Sequence, residues 1–209
     1  MASTFTIKKW SSIRHQLNND EFVENLLKNC SNKFNVDECG HFLLHYILRY
    51  TSKEMSLFAL DILHLNINGM NIHGVYPIHV ACRFSSFEVV VKCIRLGANV
   101  NVVSHLGWST LHFVCSRNTG IYRRESYMAI SLMLKMVNVN FRSLRDKNGF
   151  APIHLLCMHN KSTNILILAI KNFDITIRDN YGNGPIDYIY KYGNFDQWQI
   201  IAEMGLEFE

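Results

Sequence analysis

Nothing in this sequence is long and apolar enough to cross a bilayer. The longest uninterrupted apolar stretch, Ile165 to Ile170, falls far short of the roughly 20 residues a spanning helix needs. The opening MASTFTIKKW has no apolar stretch followed by a cleavage site, so no secretory signal is expected. Blocks of five or six like charges are absent and the formal net charge is only +4. That disfavours a nucleic-acid binder and hints at an acidic partner. The patterns G-x-x-x-x-G-K-[ST], G-x-S-x-G, H-E-x-x-H and G-x-G-x-x-G do not occur, which leaves no motif-based ground for an enzyme. Proline is limited to Pro77, Pro152 and Pro185. Alanine is scarce while asparagine and isoleucine abound, a bias we assign to the source genome.

What is present can bury a core: 48% of the residues are hydrophobic and 18% charged, a balance at odds with extended disorder. Six cysteines stand at positions 30, 39, 82, 93, 115 and 157. Without a secretory signal they read as reduced thiols, which places the protein in the cytoplasm or nucleus. The two N-x-[ST] matches, at Asn29 and Asn160, are then expected to stay unmodified.

The chain repeats itself. Glycine followed five residues later by histidine recurs at Gly40/His45, Gly74/His79, Gly107/His112 and Gly149/His154, with Gly182/Asp187 as a fifth copy. Successive glycines are 34, 33, 42 and 33 residues apart. GHFLLHYIL, GVYPIHVAC, GWSTLHFVC, GFAPIHLLC and GNGPIDYIY are the five copies. Each glycine suits a turn residue with positive φ, and the prolines sit where a first helix begins, where a missing N–H costs nothing. A second apolar stretch follows each first one, as in Val89, Val90, Cys93 and Ile94.

These copies resemble the ankyrin signature G-x-T-P-L-H-x-A at that family's period of about 33, over roughly Asp37 to Glu209. The resemblance implies an all-α solenoid of helix-turn-helix units joined by β-hairpin-like turns. The expected repeats are 37–70, 71–103, 104–145 (with an insertion near 117–127), 146–178 and 179–209. Residues 1–36 are expected to form an N-terminal helical cap, with a helical pair over Ser12 to Asn29 covering the first repeat. A single unit cannot bury its apolar face, so neighbours must stack.

Histidines that recur once per repeat form a ladder and do not converge, so no metal site is expected. The resemblance implies that they bond backbone and steady the turn. Cys82, Cys115 and Cys157 follow those histidines by three residues, where the family usually has alanine, and read as close-packed core. No cofactor, metal, membrane or small-molecule substrate is implied.

In ankyrin arrays the turn tips and the outward face of the first helix form a concave binding surface. By that resemblance the residues after the glycines (His41, Val75, Trp108, Phe150, Asn183) point to it. So do the pairs closing each first helix: Arg49/Tyr50, Arg83/Phe84, Ser116/Arg117, Met158/His159 and Lys191/Tyr192. Exposed aromatic and arginine side chains are what binding hot spots are enriched in. The expected partner site centres on Arg83, Phe84, Trp108 and Phe150, joined by Tyr50, Arg117 and His159. The nine extra residues of the third repeat are expected as a surface loop, Arg117 to Tyr127, whose Tyr122, Arg123 and Arg124 extend the site toward an acidic or phosphorylated epitope. The implied function is a protein-binding adaptor or inhibitor. Its compact, Asn/Ile-rich form is similar to viral host-modulating ankyrin proteins, some of which resemble inhibitors of NF-κB-type factors. A structural scaffold is the alternative. Nucleic-acid binding, resting on Arg117, Arg123 and Arg124, ranks below it.

Overall fold

A computed structural model of the chain describes residues 15–29, 43–62, 66–117, 123–159 and 162–206, apart from the side chains of Leu26, Lys28, Asn29 and Arg123. Among the described residues the structure is all-helical, with eleven α-helices and one isolated antiparallel bridge, Val103 to Ser109. The chain divides into two compact units, residues 1–99 and 100–209.

In the first unit a short 3-10 turn leads into α1 (Asp20–Asn29). Two helix pairs follow: α2 (Leu43–Tyr50) with α3 (Lys53–Ile62), and α4 (Pro77–Phe84) with α5 (Phe87–Arg95). The cap sequence shows one helix over its described part, 15–29, where a helical pair was expected. Leu17, Val23 and Leu27 share one buried cluster with Leu43, Ile47, Met55 and Ala59. Each such large side chain contributes about 1.5–3 kcal/mol by leaving water. Helix α5 illustrates why these segments are helical. Ser86 caps it by accepting from Val89 N, Glu88 lies in its first turn, and Lys92 and Arg95 lie in its last, each charge matched to the helix dipole. Its Val89, Val90 and Cys93 fall on one buried face. Between the pairs, Ser85 Oγ donates to Leu48 O at 2.6 Å.

The second unit holds α6 (Thr110–Cys115) with α7 (Arg123–Met136), α8 (Pro152–His159) with α9 (Thr163–Asn172), and α10 (Pro185–Tyr192) with α11 (Phe195–Glu203). First helices pack on first helices (α6, α8, α10), and second helices pack on second helices (α7, α9, α11). The loop expected over Arg117 to Tyr127 is corrected from Arg123 onward, where the chain is already α7; residues 118–122 lie outside those described. At 14 residues against 9 in α5, the helix takes up five of the nine extra residues. Helical residues satisfy their own backbone, so extending a helix costs less than a long irregular loop.

The turns before the first helices are built from a residue three positions ahead of each glycine. Asp146 Oδ1 accepts from Asn148 N (2.8 Å) and Phe150 N (2.9 Å), and Asp179 Oδ1 accepts from Tyr181 N (2.7 Å) and Asn183 N (3.0 Å). Asn71 does the same toward His73 and Val75, while Ser104 Oγ receives Trp108 N. A paired backbone bond closes each turn, as in Asp146 N to Phe150 O at 2.9 Å. The reversal then needs positive φ at Gly74, Gly107, Gly149 and Gly182 (69°, 86°, 81° and 84°). Within the second unit neighbouring turns touch: Lys147 N donates to Leu106 O and Asn180 N to Asn148 O, both at 3.1 Å.

That contact separates two otherwise equivalent glycines. A Cβ on Gly149 would lie 2.5 Å from Asn180 N, whereas one on Gly182 meets nothing within 4 Å. Gly182→Ala should therefore cost only the left-handed backbone penalty, about 1–2 kcal/mol. Gly149→Ala should cost clearly more, about 3 kcal/mol, because its neighbouring turn must also move. Urea denaturation of the two variants reads the difference; equal losses would show that the turns do not bear on each other.

Candidate functional site

The recurring histidines tie the turns to the helices. His112 Nδ1 accepts from Ser109 N (3.1 Å) and lies 2.8 Å from Ser109 Oγ, while its Nε2 lies 2.9 Å from Phe150 O. A carbonyl oxygen can only accept, so Nε2 carries the proton. His45 Nε2 makes the corresponding bond to Val75 O at 2.9 Å, and His154 Nδ1 receives Ala151 N at 3.0 Å. Asp187 stands in for the fifth histidine and accepts from Gly184 N. Burial of the ring pushes His112 down to about 4, and burial likewise lowers His154. The His112 and His154 rings are thus held neutral, and all three histidines are spent on backbone bonds. Among the described residues no group of three or more His, Cys, Asp or Glu side chains is placed to hold a metal.

The thiols of Cys82, Cys93, Cys115 and Cys157 are buried. Burial pushes Cys93 and Cys157 up to about 12, so at neutral pH neither supplies the thiolate that nucleophilic chemistry requires.

The expected partner residues fall into separate groups. In the first unit, the ends of α2 and α4 bring Tyr50, Arg83 and Phe84 together with Arg49. The Arg49 guanidinium carbon lies 4.5 Å from the Phe84 ring centre and 5.1 Å from that of Tyr50, and that of Arg83 lies 5.3 Å from Phe84. Phe84 is 43% exposed, Arg49 is exposed, and Tyr50 and Arg83 are half-buried. Burial first, and then the Arg49 charge, lower Arg83 from its ordinary value.

In the second unit, Trp108 and Phe150 are half-buried rungs of the histidine ladder. Trp108 Nε1 donates to Asp146 Oδ2 at 2.8 Å, and its ring stacks on His112 and meets the face or edge of Phe113. Phe150 packs edgewise on His154 and Tyr188. Part of each ring is therefore structural. Arg117, expected to face outward, is corrected: it is only 5% exposed, drawn in at the tight end of the six-residue α6. His159 is exposed at the end of α8.

Arg124 is exposed too, but on the second-helix layer. It lines an open groove of about 670 Å³ with Tyr127, Asn164, Ile167, Lys171 and Asp196 among its walls. The layer of second helices thus carries it, while Trp108 and Phe150 belong to the layer of first helices. Tyr122 and the side chain of Arg123 lie outside the described residues.

Two features escaped the sequence reading. The Asn71, Ser104, Asp146 and Asp179 turn builders were legible in principle as a polar residue fixed three positions before each glycine. The exposed aromatics of the last helix pair were harder to find. Cys157 and Leu166, both fully buried, correspond in position to Tyr190 (38% exposed) and Trp198 (41% exposed).

Comparison with known proteins places this geometry. A family model described as "Ankyrin repeat" matches residues 73–102. The chain is 22% identical over 164 residues to "Tyrosine-protein kinase HTK16" of Hydra vulgaris, covering 78% of this chain and 20% of that protein. It is 28% identical over 120 residues to "Ankyrin repeat protein OPG189" of variola virus, covering 57% of this chain and 21% of that one. It is 24% identical over 149 residues to "Nuclear factor NF-kappa-B p105 subunit" of Gallus gallus, covering 68% of this chain and 14% of that one. The chain thus spans about a fifth or less of the length of these curated relatives.

The histidine ladder makes stability depend on pH in a defined window. His112 has a folded-state value of about 4 against an ordinary 6.5, so the unfolded chain takes up its proton first as pH falls. Its contribution is complete above about pH 6.5 and declines as the pH falls toward 4. Unfolding free energy should drop by about 2 kcal/mol between pH 7.5 and 5 on this account alone. His112→Gln should be less stable at pH 7.5 yet show a shallower pH slope, read by urea titrations across that range. An unchanged slope would mean that His112 titrates normally in the fold.

Proposed function

The chain belongs to the ankyrin-repeat family, and on that premise we propose that it acts as an adaptor or inhibitor that holds a protein partner on the exposed ends of its first helices. Ankyrin repeats are protein–protein interaction modules whose stacked helices present extended surfaces. The observation that carries the proposal is the cluster at the ends of α2 and α4, where the exposed Arg49 and Phe84 meet the half-buried Arg83. Trp108 and Phe150 offer further aromatic surface in the second unit, and His159 adds a polar edge. The histidines and cysteines at the repeated positions are spent on turns and packing, which favours binding over catalysis. The kinase match to the Hydra protein covers only a fifth of it and carries no activity to this chain.

We place this role in the cytoplasm or nucleus, in keeping with the reduced thiols. The similarity to a variola virus ankyrin protein supports a host-modulating role, and the similarity to the p105 subunit supports a partner in the NF-κB pathway. Both supports are distant, and the repeat itself is what this chain shares with those proteins.

The test is affinity capture from eukaryotic cell lysate with wild type and with Phe84→Ala/Phe150→Ala, each first checked for a native melting transition. Truncating hot-spot aromatics costs about 2 kcal/mol or more, a weakening of about 30-fold. A protein held by wild type and lost from the folded variant supports the reading. Equal capture by both would move the site away from Phe84 and Phe150.

A further inference from the structure

Within the second unit, the layer of second helices carries a surface of its own. Arg124, Tyr127, Ser131 and Lys135 recur along α7 at intervals of three or four residues, so they share one face of that helix. Asn164, Ile167, Leu168 and Lys171 share a face of α9 in the same way. The two helices pack together, and the groove beside Arg124 adjoins a second hollow of about 550 Å³. Tyr127 and Leu168 line both. Asp196, in the first turn of α11, borders the first hollow, and Arg142, closing the 3-10 turn Val139–Arg142, borders the second.

The charge of this lining is one-sided. Arg124, Lys135 and Lys171 are exposed and Arg142 is half-buried, against Asp196 as the single carboxylate among the described lining residues. Among the described residues ion pairs form elsewhere, as at Lys92–Asp61 and Arg178–Asp187, and none involves these four cations. Tyr127, 41% exposed, and the half-buried Ile167 and Leu168 add apolar wall.

Arg124 owes its place to the extra length of the third repeat. Ala129, Ile130 and Met133 are buried on α7 at the spacing of Val89, Val90 and Cys93 on α5 and of Ile165, Leu166 and Ala169 on α9. Matched in this way, Tyr127 corresponds to Phe87 and Thr163, which open their helices, whereas α7 opens a turn earlier at Arg123. That added turn carries Arg124 and has no counterpart in α5 or α9. From Arg124 to Lys135 the helix rises about 16 Å, the span of about five residues of extended chain.

We propose that this groove is a second docking surface, which takes an extended acidic segment of a protein partner, with carboxylates flanking an apolar residue. It uses none of the first-helix end residues, so it stands whether or not those hold a partner. Cations on both walls attract carboxylates, and the guanidinium of Arg124 can grip one through two parallel N–H donors. The apolar residue of the segment meets Tyr127 and Leu168. A nucleic acid fits less well: Asp196 repels phosphate, and Tyr127 is the one aromatic side chain among the described lining residues on which a base could stack.

The full chain would be titrated by fluorescence anisotropy with a labelled Glu-Glu-Leu-Glu-Glu peptide at low salt. Controls are Gln-Gln-Leu-Gln-Gln and a short single-stranded oligonucleotide. Exposed ion pairs are individually weak, so the four cations together should favour the glutamate peptide by about tenfold. Arg124→Gln/Lys171→Gln should cut that preference to about threefold or less. Lys53→Gln/Arg95→Gln, the same loss of charge at exposed positions outside the groove, should leave it unchanged. Asp196→Asn removes the groove's carboxylate and should tighten the glutamate peptide by about twofold, a gain that a misfolded variant could not produce. The inference is overturned if the two peptides bind alike, if groove and control variants behave alike, if Asp196→Asn weakens binding, or if the oligonucleotide binds more tightly than the glutamate peptide. Phe84→Ala/Phe150→Ala should keep the wild-type affinity for the peptide. Loss of a lysate partner from that variant without any glutamate preference would end this inference alone; a glutamate preference with equal lysate capture would sustain it and end the reading at Phe84 and Phe150.

Discussion

His112 ties its own helix to the following turn because its two ring nitrogens do different things. Nδ1 accepts the backbone N–H at the start of its own helix, and Nε2 reaches the carbonyl of Phe150 at the start of α8. The side chain therefore fixes where its helix begins and how the following turn is seated against it. Protonation would remove the Nδ1 acceptor, and burial opposes it. The turn builders depend on this arrangement. Asp146 can gather Asn148 N and Phe150 N only while the chain reverses at Gly149, and that reversal is what presents the Phe150 carbonyl to His112.

The consequence for function is a separation of labour within each repeat. Residues facing along the stack are consumed by structure: the histidines by backbone bonds, the cysteines by close packing, and the inner faces of Trp108 and Phe150 by ring contacts. The residues we propose for recognition on the first-helix layer lie where a first helix ends. Arg49, Arg83 and Phe84 occupy that position in the first unit, and His159 occupies it in the second. Arg117 occupies it by sequence but not in space. Helix α6 ends early, at Cys115, and the arginine folds inward.

Asparagine acquires a role that composition alone did not suggest. Asn66 and Asn138 each accept the N–H two residues on, while Asn68 Oδ1 takes Asn99 N at 2.8 Å and Asn101 Oδ1 takes Asn138 N at 2.8 Å. Short amides both cap their own turn and bridge to the neighbouring one. A biased genome can supply asparagine, but at these positions the residue performs a specific task.

Repetition is why so much was legible in sequence. The spacing of Gly74, Gly107, Gly149 and Gly182, the prolines at helix starts and the histidines five residues after each glycine all follow from local backbone needs, and local needs write themselves into neighbouring residues. The first-helix starts at Pro77, Pro152 and Pro185, and the ends at Tyr50, Phe84, His159 and Tyr192, follow that text residue for residue. Tertiary structure decided what local pattern leaves open. It turned the first residues after the third repeat's break, Arg123 to Tyr127, into helix, placed Arg124 on the second-helix layer and buried Arg117. It also set Arg49 and Arg83, 34 residues apart in the chain, against one ring. Each of these outcomes depends on which surfaces meet across repeats, and burial of that kind has no signature in the residues on either side of a position.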